Sequence, residues 1–554
     1  MVPAFFGLFV ISLCYFSAPT SAQSGPLVQT ALGKVRGAVL KTQKGFDFYA
    51  FRGIRYAEAK RFEAPSFVTK WEEPELDGTK DGPICPQFLS PTQLFVPISE
   101  DCLFLNVYTR NLNKTTQNSV VVYIHGGANA FGSGHSLSGF GPLYLLENDI
   151  VLVTFNYRLG PFGFLSLNST EAPGNYGYLD QVMVLEWIHH HIAEFGGNPE
   201  SVTLFGMSAG GEAVSLHMAS PLSKGLFHKA IAMSGAATSD IVEDSVKWTH
   251  KLAHETSCPV FNSEDVLGCL RKLPWETIVK VCETWKAFGF PNMKWGYQVD
   301  GNFMPARLTE LFDQGNFTRI PLLTGLSKYE FTFSVYDQEN NTGLFNDISL
   351  NFDKYAPDIF QHNFDSSKSL QTLRKFYLGN RTINDQKLEH FGEIFADSLI
   401  GHGVHRLVDL ARKFIDVYYY RFDYVGRYGA YIDAEGSPRG ASHADELLYL
   451  TNVETNFSPE DPDWPMVERM VGIISSFAQM GSPEDMNDIK WLPTNKTHLN
   501  TMYIDTNAEL GYGPFTERFR LWDELFPVNS SKTVYASTLV VVLMILFQLF
   551  IELN

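Results

Sequence analysis

The chain has 554 residues, 45% of them hydrophobic and 19% charged, so it can bury a large core and is not a disordered polymer. Lys and Arg total 43 against 61 Asp and Glu, a formal net charge of -18. That acidity repels phosphate backbones and argues against a nucleic-acid partner. A mean hydropathy of -0.09 excludes a polytopic membrane protein.

The apolar excess sits at the two ends. Ala4 to Phe16 has the length and character of a secretory h-region, and Thr20 and Ala22 are the small residues of a cleavage site. Residues 1–22 are therefore expected to be a signal peptide, with Gln23 first in the mature chain. Cys14 leaves with that segment. Cys85 with Cys102 and Cys258 with Cys269 are sequence neighbours expected to form disulfides, leaving Cys282 as a buried thiol. No C-x-x-C pair occurs, so the cysteines are not read as a metal site. Sequons at Asn113, Asn168, Asn316, Asn340, Asn380, Asn456, Asn495 and Asn529 point to glycosylation, least at Asn456, whose serine precedes a proline.

No linker or repeat divides residues 23–528, which read as one domain. Continuous apolar runs at Val120–Ile124, Ile150–Phe155, Val202–Phe205, Ala230–Met233, Ile320–Thr324 and Val417–Phe422 read as strands covered on both faces. Tyr178–Phe195 and Met466–Met480 carry helical spacing and stop at Gly196-Gly197 and at Gly481 with Pro483. The alternation predicts an α/β fold with a mostly parallel sheet, sites lying past the carboxyl ends of its strands.

Two stretches carry chemistry. Val202-Thr-Leu-Phe-Gly206-Met-Ser208-Ala-Gly210 runs from a strand into a helix. A turn that sharp strains its central residue and excludes side chains from the flanking glycine positions, presenting Ser208 as a nucleophile at a helix N-terminus. Upstream, His125-Gly126-Gly127-Ala128-Asn129 can aim backbone N–H groups at one point, to which Ala209 adds another. Such donors stabilise a tetrahedral oxyanion. A serine needs a base and an orienting acid, which follow it in this fold in the order acid, then histidine. Glu330, just past a strand, and His443, in the loop Gly440-Ala-Ser-His-Ala-Asp, are placed to serve, although order alone does not single out His443. The run His189-His-His191 reads as a solvated helix face rather than a metal site, because helical neighbours point in different directions.

The C-terminus sets Asn529-Ser-Ser, a mixed spacer to Thr538 and an apolar run from Leu539 to Ile551 with no Lys or Arg after it. Residues 529–554 are therefore expected to be a membrane-directed tail, fitting a glycosylphosphatidylinositol signal better than a single span.

Taken together, Phe51-Arg-Gly-Ile-Arg-Tyr56, Ser99-Glu-Asp-Cys102-Leu-Phe-Leu-Asn-Val-Tyr108, His125-Gly-Gly-Ala128, Asn156-Tyr-Arg-Leu-Gly160, Phe195-Gly-Gly-Asn-Pro199, the serine turn and Ser442-His443-Ala-Asp resemble the carboxylesterase and cholinesterase family of α/β-hydrolases, most of all its insect members. The resemblance implies Ser208 as acyl nucleophile, Glu330 as acid, His443 as base, and Gly127, Ala128 and Ala209 as oxyanion donors. It also implies the two disulfides, a supporting role for the buried Ser234, a small-molecule ester as substrate and no cofactor or metal. Three departures stand out. Asn129 replaces the usual aromatic, and its amide can bond either the substrate or the loop. Met207 replaces the glutamate of cholinesterases. Trp71 lacks the second tryptophan that cups choline there, so a quaternary-ammonium site is not expected. Some relatives are adhesion proteins that keep the fold and lose the serine. With Ser208, Glu330 and His443 all present, an esterase is expected instead.

Overall fold

In the computed structural model, residues 25–528 are described except 89–94, 240–243, 286–294, 339–340, 365, 380–381, 384–387, 434 and 454. The expected signal peptide, the C-terminal tail and the sequons at Asn340, Asn380 and Asn529 lie outside the described residues.

The β-branched runs form the middle of an eleven-stranded sheet. In chain order its strands are β1 (Ala38–Lys41), β2 (Asp47–Arg55), β3 (Phe104–Thr109), β4 (Asn118–Ile124), β5 (Val151–Phe155), β6 (Gly197–Met207), β7 (Lys229–Met233), β8 (Leu322–Ser327), β9 (Val417–Phe422), β10 (Asn500–Ile504) and β11 (Glu509–Tyr512). They lie side by side as β11-β10-β9-β8-β7-β6-β4-β5-β3-β2-β1. Neighbours from β10 to β5 run parallel, while β11 at one edge and β3, β2 and β1 at the other are antiparallel. Alternate side chains feed opposite faces. Val120, Val122 and Ile124 join one core, Val121 and Tyr123 the other. Both faces are covered, so the central strands have no polar alternation.

Each predicted run falls on an observed strand, but Val202–Phe205 is only the centre of the longer β6, Ile150–Phe155 begins one residue later, and Ile320–Thr324 begins two residues later, at Leu322, and continues to Ser327. Pro321 has no N–H to pair, although its carbonyl accepts from Ala230 at 3.1 Å. Helix α1 (Tyr176–His191) passes into a 3-10 turn ended by Gly196 at φ 82°. Helix α2 (Ala209–Ala219) follows β6 directly, and α3 (Trp464–Met480) ends at Gly481, φ 77°. Both glycines adopt the left-handed conformation of a helix stop. Residues 244–411 add a series of shorter helices for which the sequence reading had no elements.

Both expected disulfides form, Cys85–Cys102 and Cys258–Cys269. Cys282, expected to be buried, is half-buried on a short amphipathic helix. Among the described residues no helix is long and apolar enough to cross a membrane.

Candidate active site

Strand β6 ends at Met207 and α2 begins at Ala209, leaving Ser208 alone in the turn at φ 58°, ψ -127°. An L-residue rarely adopts that conformation, and its surroundings impose it. A Cβ on Gly206 would lie 2.1 Å from the Gly210 carbonyl oxygen, and one on Gly210 would lie 2.1 Å from that of Ile124. From β7, the Met233 carbonyl accepts the Ser208 N–H at 2.9 Å. The turn is thus wedged between two strands, and Ser208 is only 5% exposed.

Glu330 and His443 arrive from loops past the carboxyl ends of β8 and β9. The backbone stitches these loops together: Tyr329 N–H donates to Ala441 O at 2.9 Å and His443 N–H to Glu330 O at 3.0 Å. His443 Nδ1 lies 2.6 Å from Glu330 Oε2, and His443 Nε2 lies 2.9 Å from Ser208 Oγ. Glu330 Oε1 accepts the Ser327 N–H at 2.7 Å. Of the histidines the sequence left open, His443 is the one brought to Ser208.

Two further acids steady this side, and the sequence reading assigned neither. Buried Glu446 accepts from Ser234 Oγ at 2.6 Å and from Ser327 Oγ. Burial raises its pKa first, and the nearby Glu330 charge adds to the rise. Asp445 accepts the backbone N–H groups of Ser442 and Ala430, each at 2.8 Å, and burial pushes it up to about 7. Ser234 thus meets Ser327 on Glu446, and the Ser327 N–H in turn bonds Glu330. Both acids stand directly after His443-Ala444, and that adjacency was the available signal.

On the other side of Ser208, a Cβ on Gly126 would approach the Ser208 Cβ to 2.9 Å, so the glycine-rich loop lies against Ser208. Gly127, Ala128 and Asn129 have φ of 109°, 52° and 55°. The N–H groups of Gly127 and Ala128 have no acceptor among the described residues. Ala209 opens α2, where an N–H has no acceptor within the helix. Three backbone N–H groups beside Ser208 are thus left without an acceptor among the described residues. The loop is held at its far end by Gln87, whose amide accepts from Gly132 N–H at 2.8 Å and donates to Gly132 O at 2.9 Å. Gln87 also donates to Cys85 O at 3.1 Å, which ties the first disulfide to the loop. Buried His125 stacks on Tyr157 at 4.3 Å, and burial lowers its pKa to about 4.

A cavity of about 470 Å³ opens beside His443, lined by Phe331, Ala430, Tyr431 and Ile432. Phe331 packs its ring 4.1 Å from the imidazole. Trp71 is buried, donating Nε1–H to Arg55 O at 3.3 Å, and borders a separate charged cavity of about 670 Å³. His189 and His190 are exposed at the end of α1. Elsewhere His405, Asp409 and Asp523 bring metal-ligating atoms within 4.8 Å of one another. Arg406 Nη2, 3.6 Å from Asp523 Oδ1, already supplies a positive charge there.

The sequence profile of the carboxylesterase family matches residues 24–522. Esterase FE4 of Myzus persicae is 34% identical, over 88% of this chain and 90% of that protein. Juvenile hormone esterase of Tribolium castaneum is 32% identical, over 94% and 96%. The solved structure of juvenile hormone esterase from Manduca sexta, with OTFP covalently attached, superposes with a TM-score of 0.77 at 26% identity, covering 90% of this chain and 99% of that one. An α/β-hydrolase sheet, a strained serine against a histidine and acid, and relatives aligned over most of both lengths lead to one conclusion: the chain belongs to the carboxylesterase family.

Proposed function

We propose that this chain carries out the family's ester hydrolysis through an acyl-enzyme on Ser208. His443 bridging Ser208 and Glu330 at 2.9 and 2.6 Å is the observation that carries this reading. Glu330 holds the proton on Nδ1, which leaves Nε2 to accept the Ser208 proton as Oγ attacks the ester carbonyl. The carbonyl π pair moves onto oxygen, where Gly127, Ala128 and Ala209 N–H groups receive it. Each such donor contributes about 3–4 kcal/mol. The intermediate collapses, the C–O bond to the alcohol breaks, and the leaving oxygen takes the proton from Nε2. Water then gives a proton to Nε2 as it attacks the acyl carbon, and when that intermediate collapses the acyl C–Oγ bond breaks, the acid leaves and Ser208 Oγ takes the proton back from Nε2. Ser208→Ala is expected to abolish turnover of short-chain aryl esters and labelling by an organophosphate. Unchanged hydrolysis would overturn the nucleophile assignment.

The same reading places the enzyme outside the cell: a signal peptide over 1–22, glycans on the sequons, and a lipid anchor added near Asn529. The described sequons Asn113, Asn168, Asn316, Asn456 and Asn495 are all exposed, which supports this reading. Release from cells by a phosphatidylinositol-specific phospholipase is expected. Retention after that treatment would overturn the anchor.

A further inference from the structure

We infer that Asn129 is the positioning residue of the oxyanion loop. The inference rests on the acyl-enzyme reading above. Gly127, Ala128 and Asn129 form three consecutive residues at positive φ. For Ala128 that conformation is unfavourable, and nothing in its methyl group holds it there. Asn tolerates the left-handed region, and this one is also anchored at both its backbone and its side chain. Its carbonyl accepts from Gly160 N–H at 2.6 Å. Its Nδ2 donates to Trp295 O at 3.0 Å and to Tyr178 Oη on α1 at 3.2 Å. Those acceptors set the amide orientation, since a flipped amide would turn its oxygen toward the Trp295 carbonyl.

The residue is 1% exposed and follows Ala128 directly. Movement of Asn129 therefore swings the Ala128 and Gly127 N–H groups, whose stabilising effect depends on pointing where charge develops. Asn129 Oδ1 has no partner among the described residues, so the side chain is attached through its donor end alone. Asn129 thus acts through the loop, without touching the substrate.

The test compares Asn129→Asp, Asn129→Gly and Tyr178→Phe for kcat, KM, thermal midpoint and affinity for an alkyl trifluoromethyl ketone, whose adduct with serine carries an oxyanion. Asn129→Asp keeps the size and backbone tolerance and loses the donor. Asn129→Gly keeps only the backbone freedom. Both are expected to lower kcat about tenfold to a hundredfold with KM within about twofold, less than the roughly hundredfold to thousandfold of removing one oxyanion donor outright, because the donors stay and only their aim is lost. Ketone affinity should fall in parallel. Tyr178→Phe removes one acceptor and leaves its ring stacked 5.2 Å from Phe303. It should show the same pattern, about two- to fivefold. Unchanged kcat in Asn129→Gly would mean that backbone freedom suffices, and would overturn the inference. A raised KM with kcat preserved would overturn it as well. If neither Asn129 variant folds, Tyr178→Phe decides, and unchanged kcat there overturns the inference. Organophosphate labelling of the parent separates the two levels. If Ser208 is labelled and the variants match the parent, only the role of Asn129 falls. If Ser208 is not labelled, the acyl-enzyme reading falls first.

Discussion

The two sides of Ser208 are built by different physics. On the nucleophile side, backbone packs against backbone. Gly206, Gly210 and Gly235 each leave room where a Cβ would sit 2.0–2.1 Å from a carbonyl oxygen, and Ser208 is strained because nothing there can yield. On the acid–base side, polar side chains hold polar side chains: Glu330 holds His443, while Ser327 and Ser234 meet on Glu446. The first arrangement is rigid through steric exclusion. The second is rigid only while every partner is present, since a buried network with a missing member leaves unsatisfied groups.

The largest expected effect tests the steric side. In Gly210→Ala the new methyl would meet the Ile124 carbonyl oxygen at 2.1 Å, between two elements that cannot separate. Overpacking of this kind costs about 1–3 kcal/mol or more. Aryl-ester turnover should be lost, and the thermal midpoint should fall. An active, equally stable variant would show that the turn is softer than its geometry implies.

The next tests the network. Glu446→Ala strands the hydroxyls of Ser234 and Ser327, a loss of about 1.5–3 kcal/mol for each of the two buried hydrogen bonds. If half or more of it reaches the transition state, kcat falls about tenfold to a hundredfold with KM little changed. Glu446→Gln, which keeps the shape, should lose less. Equal losses in both variants would shift the weight from hydrogen bonding to charge.

The smallest concerns stability. Burial lowers His217 to about 3 and His402 to about 3, as it lowers His125 to about 4. These groups are depressed below the ordinary 6.5, so the unfolded chain takes up their protons first. Their stabilisation is full above about pH 6.5 and is lost as pH falls toward 3–4. Thermal midpoints should decline through that window. In His217→Gln, the midpoint should start lower at pH 7 and decline less steeply. A parallel decline would place the acid sensitivity elsewhere.

The nucleophile turn was legible in sequence because steric exclusion selects residue identity. Glycine at 206 and 210 around Ser208, after a β-branched run, leaves few alternatives. The strands of the middle were legible for a related reason, since burial on both faces demands unbroken apolar runs. The edge strands and the helices of 244–411 were not, because half-exposed elements carry mixed patterns. Glu446 stands three residues from His443, and Asp445 two, yet neither was assigned, since an acid's partners leave no periodicity behind. Asn129 was visible as a departure, and only the structure showed that its amide bonds the Trp295 carbonyl and Tyr178 rather than being left to the substrate.

By itself the sequence determined the fold class, the serine turn and the two disulfide pairs, each of which depends on residue type and near spacing. The residues alone left open which histidine faces Ser208, across 235 residues, although the resemblance pointed to His443, and only the tertiary structure decided which carboxylate gathers Ser234 and Ser327, across 212 and 119. Hydrogen bonds have direction and a short reach, so their partners are chosen by where the folded sheet delivers its loops.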